Sequence, residues 1–264
     1  MDLLNEKTFK NRMTIRVENL AGIIPNQSLW EKKTFQIYGG DKLAIIGSNG
    51  SGKTTLVKKI INQENGITIS PSVKIGYFSQ NLMILDLNKT ILENVQNSSK
   101  QEESLIRTVL ARMHFFGEDI YKPVHVLSGG ERVKVALTKL LVSDINTLVL
   151  DEPTNYLDTQ ALTVLEKLLN EYKGSIIFVS HDRTFIENIA TRILEIRNKK
   201  MELFDGTYKQ FKYRSTKKER DFKQEEQLVL DTKISEVLSR LSIEPSEALE
   251  KEFQNLIKEK NRFI

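Results

Sequence analysis

A glycine-rich octapeptide in this 264-residue chain has the residue types and spacing of a phosphate-binding loop. It fits the pattern G-x-x-x-x-G-K-S/T, follows a short apolar stretch and precedes a predicted helix. The glycines let backbone N–H groups turn toward phosphate oxygens, and a helix start favours anions. Lys53 is expected to reach the β- and γ-phosphates of a nucleotide, and the Thr54 hydroxyl to bind Mg²⁺. The predicted phosphate-binding residues are Gly47, Ser48, Asn49, Gly50, Ser51, Gly52, Lys53, Thr54 and Thr55.

Two carboxylates follow the apolar run 148–150. At the end of a strand, Asp151 can hold Mg²⁺ through water, and Glu152 can polarise an attacking water molecule. An ordinary strand that exits into an acidic turn would look the same. The phosphate-binding loop earlier in the chain favours the catalytic interpretation.

A second glycine pair precedes a predicted helix in the string Leu-Ser-Gly-Gly-Glu at 127–131. Ser128 is a natural N-cap, and the glycines expose backbone N–H groups at the helix start. The pattern therefore predicts a second anion-binding site formed by Ser128, Gly129, Gly130 and Glu131. A capped helix start without any ligand is the alternative.

Apolar runs and helical periodicity indicate the elements that must position these motifs. Continuous apolar runs at 148–150 and 175–179 are typical of strands covered on both faces of a parallel sheet, with helix 161–172 forming a right-handed crossover between them. Further strands are predicted at 13–20, 34–38, 42–46 and 73–78, further helices at 56–62, within 86–118 and at 131–142, and a hairpin at 193–196 and 201–204.

Composition excludes several classes of protein. The chain has 39 Lys plus Arg against 35 Asp plus Glu, so its net charge of +4 permits a polyanionic partner without requiring one. The absence of cysteine excludes disulfides, thiolate zinc sites and cysteine nucleophiles. No apolar run is long enough to span a bilayer, and charges such as Asp2, Glu6 and Lys7 argue against a signal peptide.

Together with Tyr77-Phe78-Ser79-Gln80 and Val179-Ser180-His181-Asp182, these motifs resemble an ATP-binding cassette over residues 13–211. The resemblance implies an α/β P-loop NTPase fold with an antiparallel β subdomain, a small helical arm at about 86–140 and a two-helix C-terminal extension. It implies ATP and Mg²⁺ as ligands, with Mg²⁺ held by Thr54, Gln80 and Asp151. Glu152 and His181 would be catalytic. Ser128–Glu131 would contact ATP on an opposite cassette, and Asp158 would lie at the dimer seam.

Each implied role has a simpler alternative. Gln80 could be a solvated loop residue, His181 an ordinary histidine, and Asp158 a common helix entry. The family's adenine-stacking aromatic residue has no counterpart in residues 20–24. Trp30 or Phe35 could replace it, or both could belong to the core.

Three details resemble the ABC-F group: Asn155 in the loop after Glu152, the short segment between Gln80 and Ser128, and the charged tail. The run 174–196 resembles the second cassette of Vga-type resistance proteins. This implies a cytoplasmic ATPase that works as a head-to-tail cassette dimer on the ribosome, in translation regulation or antibiotic resistance. With one cassette, the sequence is expected to be half of such a machine. A membrane transporter subunit and an ATP-binding half without turnover remain alternatives.

The charged tail completes the predicted organisation: a lead-in at 1–12, the cassette at 13–211 and a helical extension at 212–264. The extension contains 12 basic and 11 acidic residues. Its basic stretch 212–220 is either a solvated helix face or a contact to ribosomal RNA. Helical spacing predicts an apolar face of Leu230, Ile234, Leu238 and Leu241 and a second helix after Pro245.

Overall fold

The computed structural model describes residues 12–25, 27–79, 84–243 and 246–260, with side chains described except at 218–229, 243, 247 and 248. Contacts divide the chain into two compact units, the first ending at Tyr208 and the second beginning at Lys209. The strands are β1 (Met13–Ile24), β2 (Gln27–Tyr38), β3 (Lys42–Gly47), β4 (Ile67–Ile69), β5 (Ile75–Phe78), β6 (Thr147–Asp151), β7 (Ser175–Val179), β8 (Arg192–Arg197) and β9 (Lys200–Asp205).

These strands form two sheets in the first unit. The larger sheet has the order β5-β6-β7-β3-β8-β9, and all neighbours are parallel except β8 and β9. The smaller sheet is antiparallel, with the order β2-β1-β4. The buried runs in β6 and β7 lie side by side, as their continuous hydrophobicity predicts. This mixed α/β architecture confirms the expected fold class.

Helices connect the strands and fill the space around the sheets. They are α1 (Lys53–Ile61), α2 (Ile91–Gln96), α3 (Glu103–Arg112), α4 (Gly129–Val142), α5 (Thr159–Glu171), α6 (Arg183–Ile189), α7 (Tyr208–Ile243) and α8 (Glu247–Lys260). The connection from β5 to β6 contains α2, α3 and α4, together with two short 3₁₀ helices (Gly117–Tyr121 and Val124–Val126). The predicted helical spacing at 86–118 therefore corresponds to two short helices, not one long element.

One apolar core holds both sheets and α1 together. It includes Trp30 and Phe35 from β2, Val57 from α1 and Val149 from β6. Trp30 is fully buried and Phe35 is 5% exposed. Both aromatic residues are therefore core residues, and neither presents a free face to a nucleotide base.

The Trp30 indole packs so closely on Gly22 of β1 that no side chain fits there. A Cβ at Gly22 would lie 2.2 Å from Trp30 Cδ2. We expect Gly22→Ala to lower the free energy of unfolding by about 1–3 kcal/mol, the usual effect of overpacking. Denaturant unfolding measures this, with Gly129→Ala as a control because nothing lies within 4 Å of a Cβ at Gly129. Equal stability of the two variants would contradict this packing.

The second unit contains most of α7 together with α8. Lys260 Nζ lies 2.6 Å from Asp231 Oδ1, so an ion pair joins the two helices. Leu230, Ile234 and Val237 are buried, but Leu238 is 44% exposed, so its predicted place on the apolar face is wrong. The reason is geometric: position 237 lies about 20° around the helix from 230, whereas 238 lies about 80° away.

Candidate functional site

The phosphate-binding loop connects β3, which ends at Gly47, to α1, which begins at Lys53. Gly52 is the N-cap of α1 and has φ 99°, in the left-handed region that favours glycine. A Cβ there would also lie 2.4 Å from Trp30 Cζ3 and 2.9 Å from Leu29 Cδ1. Both the backbone conformation and the packing therefore require glycine at this position.

The ammonium group of Lys53 lies inside the loop. Its Nζ donates hydrogen bonds to the carbonyl oxygens of Gly47 and Ser48, each at 3.0 Å. Burial lowers the pKa of Lys53, while Glu152 and Asp151 oppose that shift. With two bonds made to the loop, the third N–H of the ammonium is available to a bound anion.

Thr54 and Asp151 are 97 residues apart in sequence and meet at the site. The Thr54 hydroxyl donates to Asp151 Oδ1 over 3.3 Å. Burial raises the pKa of Asp151, although the Thr54 hydrogen bond and nearby lysines oppose the shift. Because the folded chain holds the Asp151 proton more tightly than an unfolded chain would, ionising this buried carboxyl reduces the stability of the chain without ligand.

Glu152 follows directly and has an unusual backbone conformation. Its φ is 51°, rare for a residue with a side chain, and its N–H donates to the Val179 carbonyl at 3.0 Å. The carboxylate Oε1 lies 3.1 Å from His181 Nε2. Burial raises the pKa of Glu152, and the charges of His181 and Lys53 oppose that shift. This strained turn aims a partly buried carboxylate at the same cavity as the loop.

The cavity has a volume of about 420 Å³ and joins these groups in one place. It is lined by residues of the phosphate-binding loop, by Glu152 and by His181. Three residues from the β1–β2 hairpin also line it. The lining residues are Ile24, Gln27, Leu29, Asn49, Gly50, Gly52, Lys53, Thr54, Thr55, Glu152 and His181.

Ser128 and Asp158 belong to a second cluster, on α4 and α5. Ser128 Oγ accepts from the Glu131 N–H, and the Glu131 carboxylate accepts from the Ser128 N–H, which closes a capping box. Asp158 caps α5 by accepting from the Ala161 N–H, and it lies 3.3 Å from Lys134 Nζ. Among the described residues, the cavity lining includes no member of this cluster.

The structure therefore brings only some of the predicted site residues to the cavity. Gly47, Ser48 and Ser51 form the loop without lining the cavity, and Ser51 Oγ is buried with no hydrogen-bond partner among the described residues. Gln80, the predicted Mg²⁺ and γ-phosphate contact, lies outside the described residues. Sequence reasoning missed Ile24, Gln27 and Leu29, because only the hairpin pairing brings them beside the loop.

The groups present suit a nucleotide with a divalent cation. The Thr54 hydroxyl and Asp151 carboxylate provide two oxygen ligands of the kind that Mg²⁺ prefers. No group of three or more metal-binding side chains occurs among the residues that the structure describes. A cation held at this point would therefore need further oxygen ligands, which phosphate groups supply.

The family model and the solved structure that match this chain are both described as belonging to ABC transporters. Residues 31–155 match the family described as ABC transporter. The solved "Structure of ATP binding subunit of ABC transporter" superposes with a TM-score of 0.66 and 22% identity, covering 77% of this chain and 93% of that chain. The chain therefore has the mixed α/β fold of the ABC ATPases, and its residues 31–155 are similar to the ABC transporter family.

Two curated proteins with similar sequences have more specific names. The "Ribosome protection protein VmlR" of Bacillus subtilis is 35% identical over 231 residues, which is 86% of this chain and 41% of that protein. The "ABC transporter F family member 5" of Arabidopsis thaliana is 38% identical over 210 residues, 77% of this chain and 30% of that protein. The chain thus spans well under half the length of these relatives. In its described part, no helix is long and apolar enough to cross a membrane.

Proposed function

We propose that the chain binds ATP and, as half of a cassette dimer, hydrolyses it to ADP and phosphate. One observation carries the proposal: Lys53, Thr54, Glu152 and His181 line one cavity, and Asp151 is hydrogen-bonded to Thr54 at its edge. A cation site, a phosphate-binding loop and a carboxylate paired with a histidine are the parts that phosphoryl transfer to water requires.

The proposed role of each residue follows from its position and its charge. Lys53 neutralises charge on the β- and γ-phosphates. Thr54 and Asp151 would hold Mg²⁺, which would supply further positive charge for the phosphates. Glu152 accepts a proton from, or orients, the attacking water. His181, 3.1 Å from Glu152, holds the γ-phosphate and fixes the carboxylate. Gln80 is the third proposed Mg²⁺ ligand. Catalysis is mainly positioning and electrostatics.

The second cluster supports a head-to-tail dimer. Ser128, Gly129, Gly130 and Glu131 do not line the chain's own cavity, so an anion bound at their helix start would belong to another cassette. In the proposed dimer each chain supplies this segment to the ATP of its partner, and Asp158 lies at the seam. The partner is a second copy or a cassette of a longer protein.

We further propose an ABC-F role on the ribosome, with ATP controlling ribosome occupancy in the cytoplasm. The support is the similarity to a protein named for ribosome protection and to a protein named as an F family member. The resemblance to Vga-type second cassettes points the same way. A transporter subunit is the competing function, and the fold is common to both.

Mixing two inactive variants tests whether each ATP site is a composite site, formed by the cavity of one chain and the 128–131 segment of its partner. Ser128→Arg damages the segment given to the partner, and Glu152→Gln damages the chain's own cavity. A mixed dimer contains one intact composite site, so mixing should restore about a quarter of wild-type turnover if dimers form at random. No recovery, with wild-type turnover present, would contradict the head-to-tail arrangement. Absence of wild-type turnover despite ATP binding would favour a half cassette without activity.

Sedimentation tests the ribosomal role. The Glu152→Gln chain, arrested with ATP, should pellet with purified ribosomes and be released by ADP. Binding that persists in ATP should weaken as salt rises if phosphates of RNA are contacted. An arrested chain that stays in the supernatant with ribosomes, or that co-purifies with a membrane protein, would contradict the ribosomal proposal.

A further inference from the structure

Two hydroxyl groups connect the loops that carry Glu152 and His181. Thr154 lies two residues after Glu152, in the turn that follows β6, and Ser180 directly precedes His181 at the end of β7. Although 26 residues separate them in sequence, Thr154 Oγ1 and Ser180 Oγ lie 3.4 Å apart, because β6 and β7 are parallel neighbours. A side-chain hydrogen bond therefore links the two loops.

The Ser180 side chain is buried and has two hydrogen-bond partners. It is 2% exposed, and its Oγ accepts from the Asp182 N–H at 3.1 Å. A hydroxyl also donates, and Thr154 Oγ1 is its other partner in the part of the chain that the structure describes. A buried hydroxyl that donates to nothing is unfavourable, so Ser180 donates to Thr154.

Other bonds hold the backbone on each side of Ser180. The Val179 carbonyl accepts from the Glu152 N–H at 3.0 Å. The Asp182 side chain caps α6 by accepting from two backbone N–H groups, at 2.9 Å and 3.1 Å. Residues 180 and 181 lie between these two anchors, and the hydroxyl pair ties this short stretch to the turn after β6.

His181 depends on such support because packing restrains its ring little. The exposed fraction of its side chain is 53%, against 12% for Glu152. The distance of 3.1 Å between His181 Nε2 and Glu152 Oε1 is therefore determined largely by the backbone that carries the histidine. A displacement of about 1 Å at reacting groups can cost about 100-fold in rate. A contact that holds residue 180 is thus placed to influence the reaction.

We infer that Thr154 and Ser180 are positioning residues for hydrolysis, and that their hydroxyl pair keeps Glu152 and His181 within hydrogen-bonding distance. The inference rests on the proposed function, namely that these two side chains act on ATP and water. Neither hydroxyl residue lines the cavity, so neither contacts the nucleotide. Loss of the pair should therefore lower kcat and leave ATP affinity unchanged.

Two substitutions at Thr154 separate the hydroxyl from the methyl group. Thr154→Val replaces the hydroxyl with a methyl group of similar size, whereas Thr154→Ser keeps the hydroxyl. We expect Thr154→Val to lower kcat about tenfold, the change in rate that a hydrogen bond of ordinary net strength gives, and Thr154→Ser to stay within about threefold of wild type. Phosphate release measures kcat, and calorimetry should show ATP affinity within about threefold for both. Full kcat in Thr154→Val, or an equal loss in both variants, would overturn the inference.

The same strand supplies a matched control for Ser180→Ala. Ser175, at the start of β7, is also 2% exposed, and its hydroxyl accepts from the Gly40 N–H and donates to the Tyr38 carbonyl. Ser175→Ala should reduce stability in denaturant unfolding but keep the turnover of the folded chain. Ser180→Ala should lower kcat about tenfold, as Thr154→Val does. Equal turnover in the two serine variants would contradict a positioning role for Ser180.

Combined variants test whether the hydroxyls act as a pair and through Glu152. Thr154→Val with Ser180→Ala should lose no more kcat than the worse single variant, because either change removes the same bond. Ser180→Ala should also leave the residual rate of Glu152→Gln unchanged. Multiplied losses in either combination would overturn the inference while wild-type turnover upholds the proposed function. Absence of wild-type turnover would instead refute the proposed function and this inference together.

Discussion

Glu152→Gln is expected to reduce ATP turnover by about 100- to 10,000-fold, the usual contribution of a positioned general base. Glutamine has nearly the same shape but cannot accept a proton from water. ATP binding should be retained or become tighter, because a negative charge is removed from a site that holds phosphates. Phosphate release measures turnover, and calorimetry measures binding.

The control for this variant is Glu166→Gln. Glu166 lies on α5, where its carboxylate accepts from Asn188 Nδ2 at 2.9 Å, and it does not line the cavity. Its turnover should equal that of the wild type. If Glu152→Gln retained wild-type turnover, another group would have to activate the water, and the proposed role of Glu152 would be wrong.

The pH dependence of turnover should reflect the ionisation of Glu152. Burial raises the pKa of Glu152, so the carboxylate gains its proton at a higher pH than an ordinary glutamate does. The base form is therefore lost as pH falls through that raised value, and turnover should decline on acidification before a solvent-exposed glutamate would titrate. The residual rate of Glu152→Gln should lack this acidic decline.

Much of the site could be predicted from sequence because its parts lie at one edge of a parallel sheet. Ile45 of β3 pairs with Val179 of β7, and Val179 pairs with Asp151 of β6. The segments that follow these strands thus emerge side by side. Short apolar runs followed by glycine, carboxylate or histidine indicate such an arrangement, since the carboxyl ends of parallel strands meet at one edge.

The side of the cavity formed by Ile24, Gln27 and Leu29 of the hairpin could not be predicted in the same way. Its position depends on the β1–β2 pairing, whose register shifts at several points between Met13 and Ile23. Both strands are also longer than the alternating patterns at 13–20 and 34–38 suggest, because Gly22 and the hairpin end interrupt the alternation. The strand β4, with three residues, is too short to leave a periodic signal.

In helix α7 the sequence could not show which of two neighbouring apolar residues is buried. Val237 and Leu238 are adjacent apolar residues, and only one can face the buried side of α7. Counting i, i+4 steps from Leu230 reaches Leu238, whereas the helix pitch favours the i+7 position. Sequence periodicity identified an amphipathic helix, but the choice between neighbouring apolar residues required the packing.

Lys53→Met should weaken ATP binding by at least about 100-fold, because charge-assisted hydrogen bonds to phosphate are among the strongest polar contacts. Methionine keeps most of the length of the side chain but cannot donate. ADP should be weakened as well, since the lysine is placed to reach the β-phosphate. Equilibrium titration of both nucleotides measures the loss.

The matched control for Lys53 is Lys58→Met, which removes the same charge from an exposed position further along α1. Lys58 does not line the cavity, so its affinity for ATP should stay within about threefold of wild type. The contrast separates a positioned ammonium from general electrostatic attraction. Burial lowers the pKa of Lys53, which indicates that this cation is held in the loop at a desolvation cost. If Lys53→Met and Lys58→Met bound ATP equally well, the ammonium held by the Gly47 and Ser48 carbonyls would serve the loop's structure and not the phosphates.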